Sequence, residues 1–199
     1  MFSRSRRKKP RRSSSRVGSV ASAPAGSASV MNRSCQSRAT AIGDDISVSE
    51  PEFRVERADA PVARALLDAY LADLRARLGE FDEARGAPAG ADEMVPPAGV
   101  FLVGYVDGEA VACGGVKPRP EGAEIKRMWV APAARRRGVG RRLLAALEDA
   151  ARAAGHRRVV LDTSSGQPEA LAMYRALGYL EASDYNGNPY AAHWFTKAL

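Results

Sequence analysis

The residues Val130-Ala-Pro-Ala-Ala-Arg135-Arg-Arg-Gly138-Val-Gly140-Arg-Arg-Leu-Leu144 combine types that bind anions. An apolar strand candidate, Ile125 to Val130, runs into a turn at Pro132, and two glycines one residue apart then open an amphipathic helix. Glycine lets a backbone approach an anion closely. Unpaired N–H groups at a helix start carry roughly half a positive charge. Five arginines among the eight residues from Arg135 to Arg142 add full charges around them. Ligands that need so much positive charge in one turn carry several phosphates. A P-loop would end in Gly-Lys-Ser or Gly-Lys-Thr, whereas Gly140 precedes Arg141-Arg142-Leu143, which argues against nucleotide hydrolysis of that type. Leu143 also stands where a dinucleotide fingerprint needs its third glycine. The tripeptide alone leaves open a plain glycine turn with arginines on a solvated face.

Arg135-x-x-Gly138-x-Gly140, after a strand and before a helix, resembles motif A of the GNAT superfamily of acetyl-CoA-dependent N-acetyltransferases. Downstream, Gln167-Pro-Glu-Ala170-Leu-Ala-Met-Tyr174-Arg-Ala-Leu-Gly178-Tyr179 is similar to that family's motif B, with Gln167 where the family usually has asparagine. The resemblance covers roughly residues 53 to 199. It implies a mixed α/β fold with a central, mostly antiparallel, splayed sheet flanked by helices. It also implies acetyl-CoA as co-substrate, lying along the strand that ends Met128-Trp129-Val130, with the backbone of Met128 and Val130 pairing to pantetheine as a missing strand would. Arg136, Arg137, Gly138, Val139, Gly140 and Arg141 would hold the pyrophosphate through their amides. The arginine side chains, Arg135 included, would face its outer oxygens, and Gln167 would reach the cofactor with its amide.

The activity so implied is transfer of an acetyl group to a primary amine by direct attack in a ternary complex. An amine of lysine type has a pKa near 10.4, so only about one molecule in a few thousand is neutral at pH 7 and a proton must leave. Glu124, six residues before Val130, matches the position of a fourth-strand catalytic glutamate, and the resemblance implies a general base acting directly or through water. A solvated glutamate paired to Lys126 or Arg127 is the other reading. Expulsion of the thiolate needs a group still protonated at neutral pH, and Tyr174 matches the motif B tyrosine that serves as general acid. Arg127 could bind an acceptor carboxylate or simply pair with an acid. The loop Asp184-Tyr185-Asn186-Gly-Asn-Pro-Tyr190 is placed to form a wall of the acceptor pocket, with Tyr185 and Asn186 as candidate contacts, or to be a plain turn. A small, amino-acid-like amine is the expected acceptor. A non-catalytic acyl-CoA sensor on the same fold and an enzyme acting on protein or peptide amines are the alternatives.

These residues need a scaffold, and the chain spells one out. Glu52 to Glu56 reads as a strand, and Val62, Leu66, Ala69, Tyr70, Leu74 and Leu78 recur at helical spacing behind Asp59 as cap. Gly79 to Gly99 is irregular and rich in proline, as site-bordering segments often are. Val100 to Val106, Asp107-Gly108 and Glu109 to Val116 read as a hairpin, and Glu121 to Val130 continues the sheet. Leu143, Leu144, Leu147, Ala150, Ala151 and Ala154 form one stripe of the next helix, with Arg, Glu and Asp on its outer face. A strand over Arg158 to Thr163, a helix over Pro168 to Leu177 and a closing strand near Ala191 to Lys197 complete the sheet.

At 199 residues and 45% hydrophobic content the chain suits one core. Its net charge of +7 belongs wholly to residues 1–50, which hold ten Lys or Arg against three acids, while residues 51–199 hold twenty of each sign. That first segment, rich in Ser, Arg, Ala and Gly, is expected to be a disordered basic tail ahead of the domain over 51–199. Its run Arg4 to Arg12 supports at most weak, salt-dependent nucleic-acid binding. A transit peptide and residues upstream of a start at Met31 are other readings of it. No apolar run reaches the about twenty residues of a membrane span, so a soluble protein, monomeric or homodimeric, is expected, and the two cysteines fit a reducing cytoplasm. Cys35 and Cys113 form no metal or disulfide pattern, Cys113 reading as a buried strand residue rather than a nucleophile, and no metal site is expected.

Overall fold

A computed structural model describes residues 49–86, 89–97, 99–120 and 122–199. The expected basic tail lies outside them except for its last two residues, as does Cys35. In chain order the elements are β1 (Glu52–Val55), α1 (Pro61–Leu78), β2 (Val100–Val106), β3 (Glu109–Arg119), β4 (Gly122–Val130), α2 (Val139–Ala153), β5 (Arg158–Thr163), α3 (Pro168–Ala176), β6 (Leu180–Ala182) and β7 (His193–Ala198). The strands form one sheet in the order β1-β2-β3-β4-β5-β7-β6. Only β4 and β5 run parallel. None of the described helices is long and apolar enough to cross a membrane.

Local sequence explains most boundaries. Asp107 and Gly108 take φ of 52° and 83°, the consecutive left-handed pair that a two-residue hairpin requires. The expected cap of α1 is corrected: Ala60 is the capping residue and makes no side-chain bond. The Asp59 carboxylate is instead gripped by Arg57 through Nε and Nη2 at 2.8 and 2.7 Å. Pro61 at the first helical position has no N–H to satisfy, so the helix starts without a cap. β6 has three residues, too few for alternation to reveal it in the sequence.

Both faces of the sheet are covered. In β2, Phe101 and Val103 pack with Ala63 and Leu66 of α1, while Val100 and Leu102 pack with Leu143, Leu144 and Leu147 of α2. α2 approaches closely because β3 offers Gly114 beneath it, where a Cβ would lie 2.8 Å from Leu147 Cδ1. Leu147 is fully buried, so Leu147→Ala removes about 2–5 kcal/mol. The outer face expected for α2 also needs correction at Glu148. This residue is buried, accepting from the Tyr179 hydroxyl at 2.9 Å and from Lys197 Nζ at 2.9 Å, and so ties α2 to β7.

Two irregularities shape the site. β4 and β5 pair only at Ala123↔Val159 and Glu124↔Val160, so the rest of β4 has no partner on that side. Between the pairs Gly115↔Lys126 and Cys113↔Trp129, β4 carries one more residue than β3, a bulge at which Arg127 takes φ 56°.

Candidate active site

The turn after β4 builds an anion cradle. Arg136 and Gly138 take φ of 61° and 79°, and the left-handed arginine carries a strain of about 1–2 kcal/mol. α2 then begins without a capping side chain and with no acid in its first turn. The first bond into the helix runs from the Arg142 N–H to the Gly138 carbonyl, and the amides of Val139, Gly140 and Arg141 have no acceptor among the described residues. Arg136, Arg137 and Arg141 are exposed beside them and form no ion pair among the described residues, while Arg142 pairs with Glu50 at 2.8 Å. Uncapped amides, a favourable dipole and free guanidinium groups fit a pyrophosphate.

Arg135 behaves differently from its neighbours. Its Nε donates to the Val130 carbonyl at 2.9 Å and its Nη2 to Asp73 of α1 at 2.8 Å, so its side chain turns inward and staples the cradle to β4 and α1. Asp73 also accepts from Trp129 Nε1 and Arg77 Nε, both at 3.3 Å. Burial alone would raise the Asp73 carboxyl, yet the bonds from Arg135 and Arg77 outweigh it and hold the group below its ordinary value. Along β4 the N–H of Ala131 bonds the Val111 carbonyl, so by alternation the backbone of Trp129 faces β3 while Met128 and Val130 face the unpaired side. The groups expected to meet pantetheine are therefore the Met128 backbone and the Val130 N–H, the Val130 carbonyl being held by Arg135, with Trp129 turned to β3 and its indole to α1.

Where the strands part, a cavity of about 110 Å3 opens. Its walls include Ile125 to Met128 on β4, Asp162 to Ser164 at the end of β5, Tyr70 and Leu74 on α1, Tyr174 and Gln167 of the α3 region, and Phe81, Asn188 and Tyr190. The segment after Gly79 thus borders the cavity through Phe81, Glu83, Gly86 and Ala89, around the 3-10 turn Glu83–Arg85, while the second turn, Ala91–Met94, is not part of its wall. The bulge places four consecutive β4 residues along this wall, overriding the alternation that would set Arg127 apart. Arg127 Nη2 reaches Glu83 at 2.7 Å and the Ala89 carbonyl at 2.9 Å. The Tyr174 hydroxyl lies 3.9 Å from Met128 Sδ, beside the open edge of β4. Burial, reinforced by the charge of Asp162, pushes its phenol well above the ordinary range, so it stays protonated at neutral pH. Gln167 accepts from Thr163 Oγ1 at 3.3 Å and lines the same cavity.

Glu124, Tyr185 and Asn186 meet each other rather than the cavity. Glu124 is fully buried, and its Oε1 accepts from the Tyr185 hydroxyl and Asn186 Nδ2, both at 3.1 Å. Arg119, Lys126 and Lys117 approach its carboxylate at 3.4, 3.5 and 3.7 Å. The carboxylate that does reach the cavity is Asp162, which accepts from Asn188 at 2.6 Å, Asn186 at 2.9 Å and Lys126 at 3.1 Å. Lys126 and Asn186 thereby join the two acids. The signal for Asp162 was available as a lone acid in Val159-Val-Leu-Asp-Thr163, an otherwise apolar strand; Asp73 and Tyr70 gave none, being ordinary positions on an amphipathic helix. Cys113 is buried and its thiol is pushed up to about 12 by desolvation, which leaves it a packing residue.

Comparison with known proteins places this geometry. A model of the acetyltransferase (GNAT) family matches residues 63–179. An IAA acetyltransferase of Azospirillum brasilense is 41% identical over 87 residues, 43% of this chain and 57% of that one. The uncharacterized N-acetyltransferase YjgM of Escherichia coli (strain K12) is 32% identical over 93 residues, 45% of this chain and 55% of that one. The chain thus spans a little over half the length of these curated relatives. Among solved structures, the PaiA N-acetyltransferase of Thermoplasma acidophilum in complex with coenzyme A superposes with a TM-score of 0.57 at 13% identity, covering 75% of this chain and 99% of that one, a likeness of fold.

Proposed function

The chain belongs to the acetyltransferase (GNAT) family, and on that premise we propose that it transfers an acetyl group from acetyl-CoA to the primary amine of a small, amino-acid-like molecule. The observation that carries this reading is continuity: the uncapped start of α2, the unpaired edge of Met128 and Val130, and the Tyr174 hydroxyl lie in sequence along one path into the cavity. The amides of Val139, Gly140 and Arg141, with Arg136 and Arg137, hold the pyrophosphate. Met128 and Val130 pair with the pantetheine, and Gln167 flanks it. Acetyl-CoA supplies the acyl thioester.

As the amine nitrogen bonds the acetyl carbon and the carbon–sulfur bond breaks, Tyr174 would give its proton to the departing thiolate and regain one from the newly acylated nitrogen. Of the two carboxylates, Asp162 meets the acceptor's ammonium and takes its proton, while Glu124 stands behind it and fixes Lys126, Arg119 and the loop of Tyr185 and Asn186. This reading moves the base expected at Glu124 to the acid that lines the cavity. Small size favours a small acceptor: about 110 Å3 falls well short of the roughly 300–1,000 Å3 that drug-sized ligands occupy. The fold likeness to a protein solved with coenzyme A and the similarity to an IAA acetyltransferase support the same class. Release of CoA thiol from acetyl-CoA by the full chain, assayed over a panel of amines and amino acids, tests the proposal. Amine-dependent release is expected, and acetyl-CoA binding without release on any small amine would overturn it.

A further inference from the structure

Two hydroxyls of the cavity wall, the buried Ser164 and Tyr70, and one cation, Arg127, have hydrogen-bonding capacity to spare among the described residues. Tyr70, on the inner face of α1, lines the cavity, and its hydroxyl makes no hydrogen bond among the described residues. Arg127 spends Nη2 on Glu83 and Ala89, and its Nε and Nη1 have no partner among the described residues. The other cation of the wall, Lys126, is held between Asp162 and Glu124 at 3.1 and 3.5 Å. Arg127 from β4 and Tyr70 from α1 line the same cavity. A guanidinium fork and a phenol facing one cavity offer several donors and a positive charge, the complement of a carboxylate. Asp162 supplies the opposite charge on the same wall. A zwitterion matches that layout better than a plain alkylamine does.

We infer that Tyr70 is a specificity residue whose hydroxyl, with Arg127, holds a carboxylate on the acceptor, so that the protein selects α-amino acids over the amines obtained by removing their carboxylate. This rests on the proposed function for the site's identity, but not on its chemistry. A site built to hydrogen-bond a substrate group discriminates strongly against the analogue that lacks it, because its own polar groups are then left unpaired.

The test compares each α-amino acid with its decarboxylated amine, in wild type and Tyr70→Phe, by steady-state kinetics with acetyl-CoA. Calorimetric binding of the same compounds is measured without acetyl-CoA, and melting temperature checks the fold. Wild type should favour the amino acid in kcat/KM by roughly 10- to 100-fold, the range of a hydrogen bond to a charged group. Tyr70→Phe should cut that ratio at least about tenfold through KM, with an unchanged melting temperature because the hydroxyl bonds none of the described residues. An unmoved ratio, or an equal loss of kcat on both compounds, overturns the inference while leaving the transferase reading intact. If nothing is turned over, amino-acid binding that weakens in Tyr70→Phe upholds the inference and sinks the transferase reading. Absence of both turnover and binding overturns the inference too.

Discussion

Whether a residue acts as an acid, a base or a fixed anchor here depends on what already surrounds its polar atoms. Tyr174 has a hydroxyl beside the open strand edge and a phenol that burial keeps protonated. Glu124 has the reverse situation, with every oxygen engaged and three cations within 4 Å. Glu124→Gln therefore removes the anion that balances Lys117, Arg119 and Lys126, and the protein should lose about 3–5 kcal/mol of stability in denaturant unfolding. Asp162 is also bonded through both oxygens, to Lys126, Asn186 and Asn188, and differs from Glu124 in lining the cavity; Asp162→Asn should lower kcat/KM by roughly 100-fold, the range of a lost proton acceptor, besides costing the Lys126 pair. If instead Glu124→Gln were fully stable and inactive, the base would have to be moved back to Glu124. The sequence made Tyr174 legible because its spacing from Gln167 and Gly178 is distinctive. It could not show that Glu124 is saturated, since Tyr185 and Asn186 come to it from some sixty residues away.

At the scale of elements, the site is held together by one carboxylate on α1. Asp73 binds Trp129 of β4 and Arg135 of the cradle, so the helix that walls the cavity is fastened to the turn proposed to meet the phosphates. Asp73→Ala should free Arg135 and raise KM for acetyl-CoA about tenfold or more, through a loss of one charge-assisted bond, with kcat changed less. An unchanged KM would mean that the cradle holds its shape without α1. The strands, α2 and α3 were readable because burial of one face writes its period into the sequence, as in Leu143, Leu144 and Leu147. The β4 bulge was not readable. Nothing in Lys126-Arg127-Met128 announces an extra residue, yet it sets which side chains face the cavity. The Asp107-Gly108 turn was readable because few residue pairs accept two positive φ values.

For the molecule as a whole, the buried hydroxyls and thiol predict how stability depends on pH. Desolvation raises the pH at which Tyr70, Tyr174, Tyr179 and Tyr185 ionise, aided at Tyr179 by Glu148 and at Tyr185 by Glu124, and pushes that of Cys113 up to about 12. These groups ionise more readily unfolded, at about 10 for tyrosine and about 8.5 for cysteine. Their contribution is therefore complete below about pH 8.5 and is lost progressively above it, by about 1.4 kcal/mol per pH unit for each group that stays protonated only when folded. Melting temperatures measured from pH 7 to pH 11 should be level at first and then fall; a level profile to pH 11 would mean that these side chains are open to water. The charge asymmetry of the chain, +7 carried by residues 1–50, plays no part in this account of the site. Acetyl transfer to an amine in the cavity with Tyr174 as acid is tested by single-turnover release of CoA thiol in wild type and Tyr174→Phe, with acetyl-CoA binding measured alongside. Amine-dependent release is expected to fall about 100- to 10,000-fold in the variant while acetyl-CoA still binds. Release at the wild-type rate in Tyr174→Phe would contradict it.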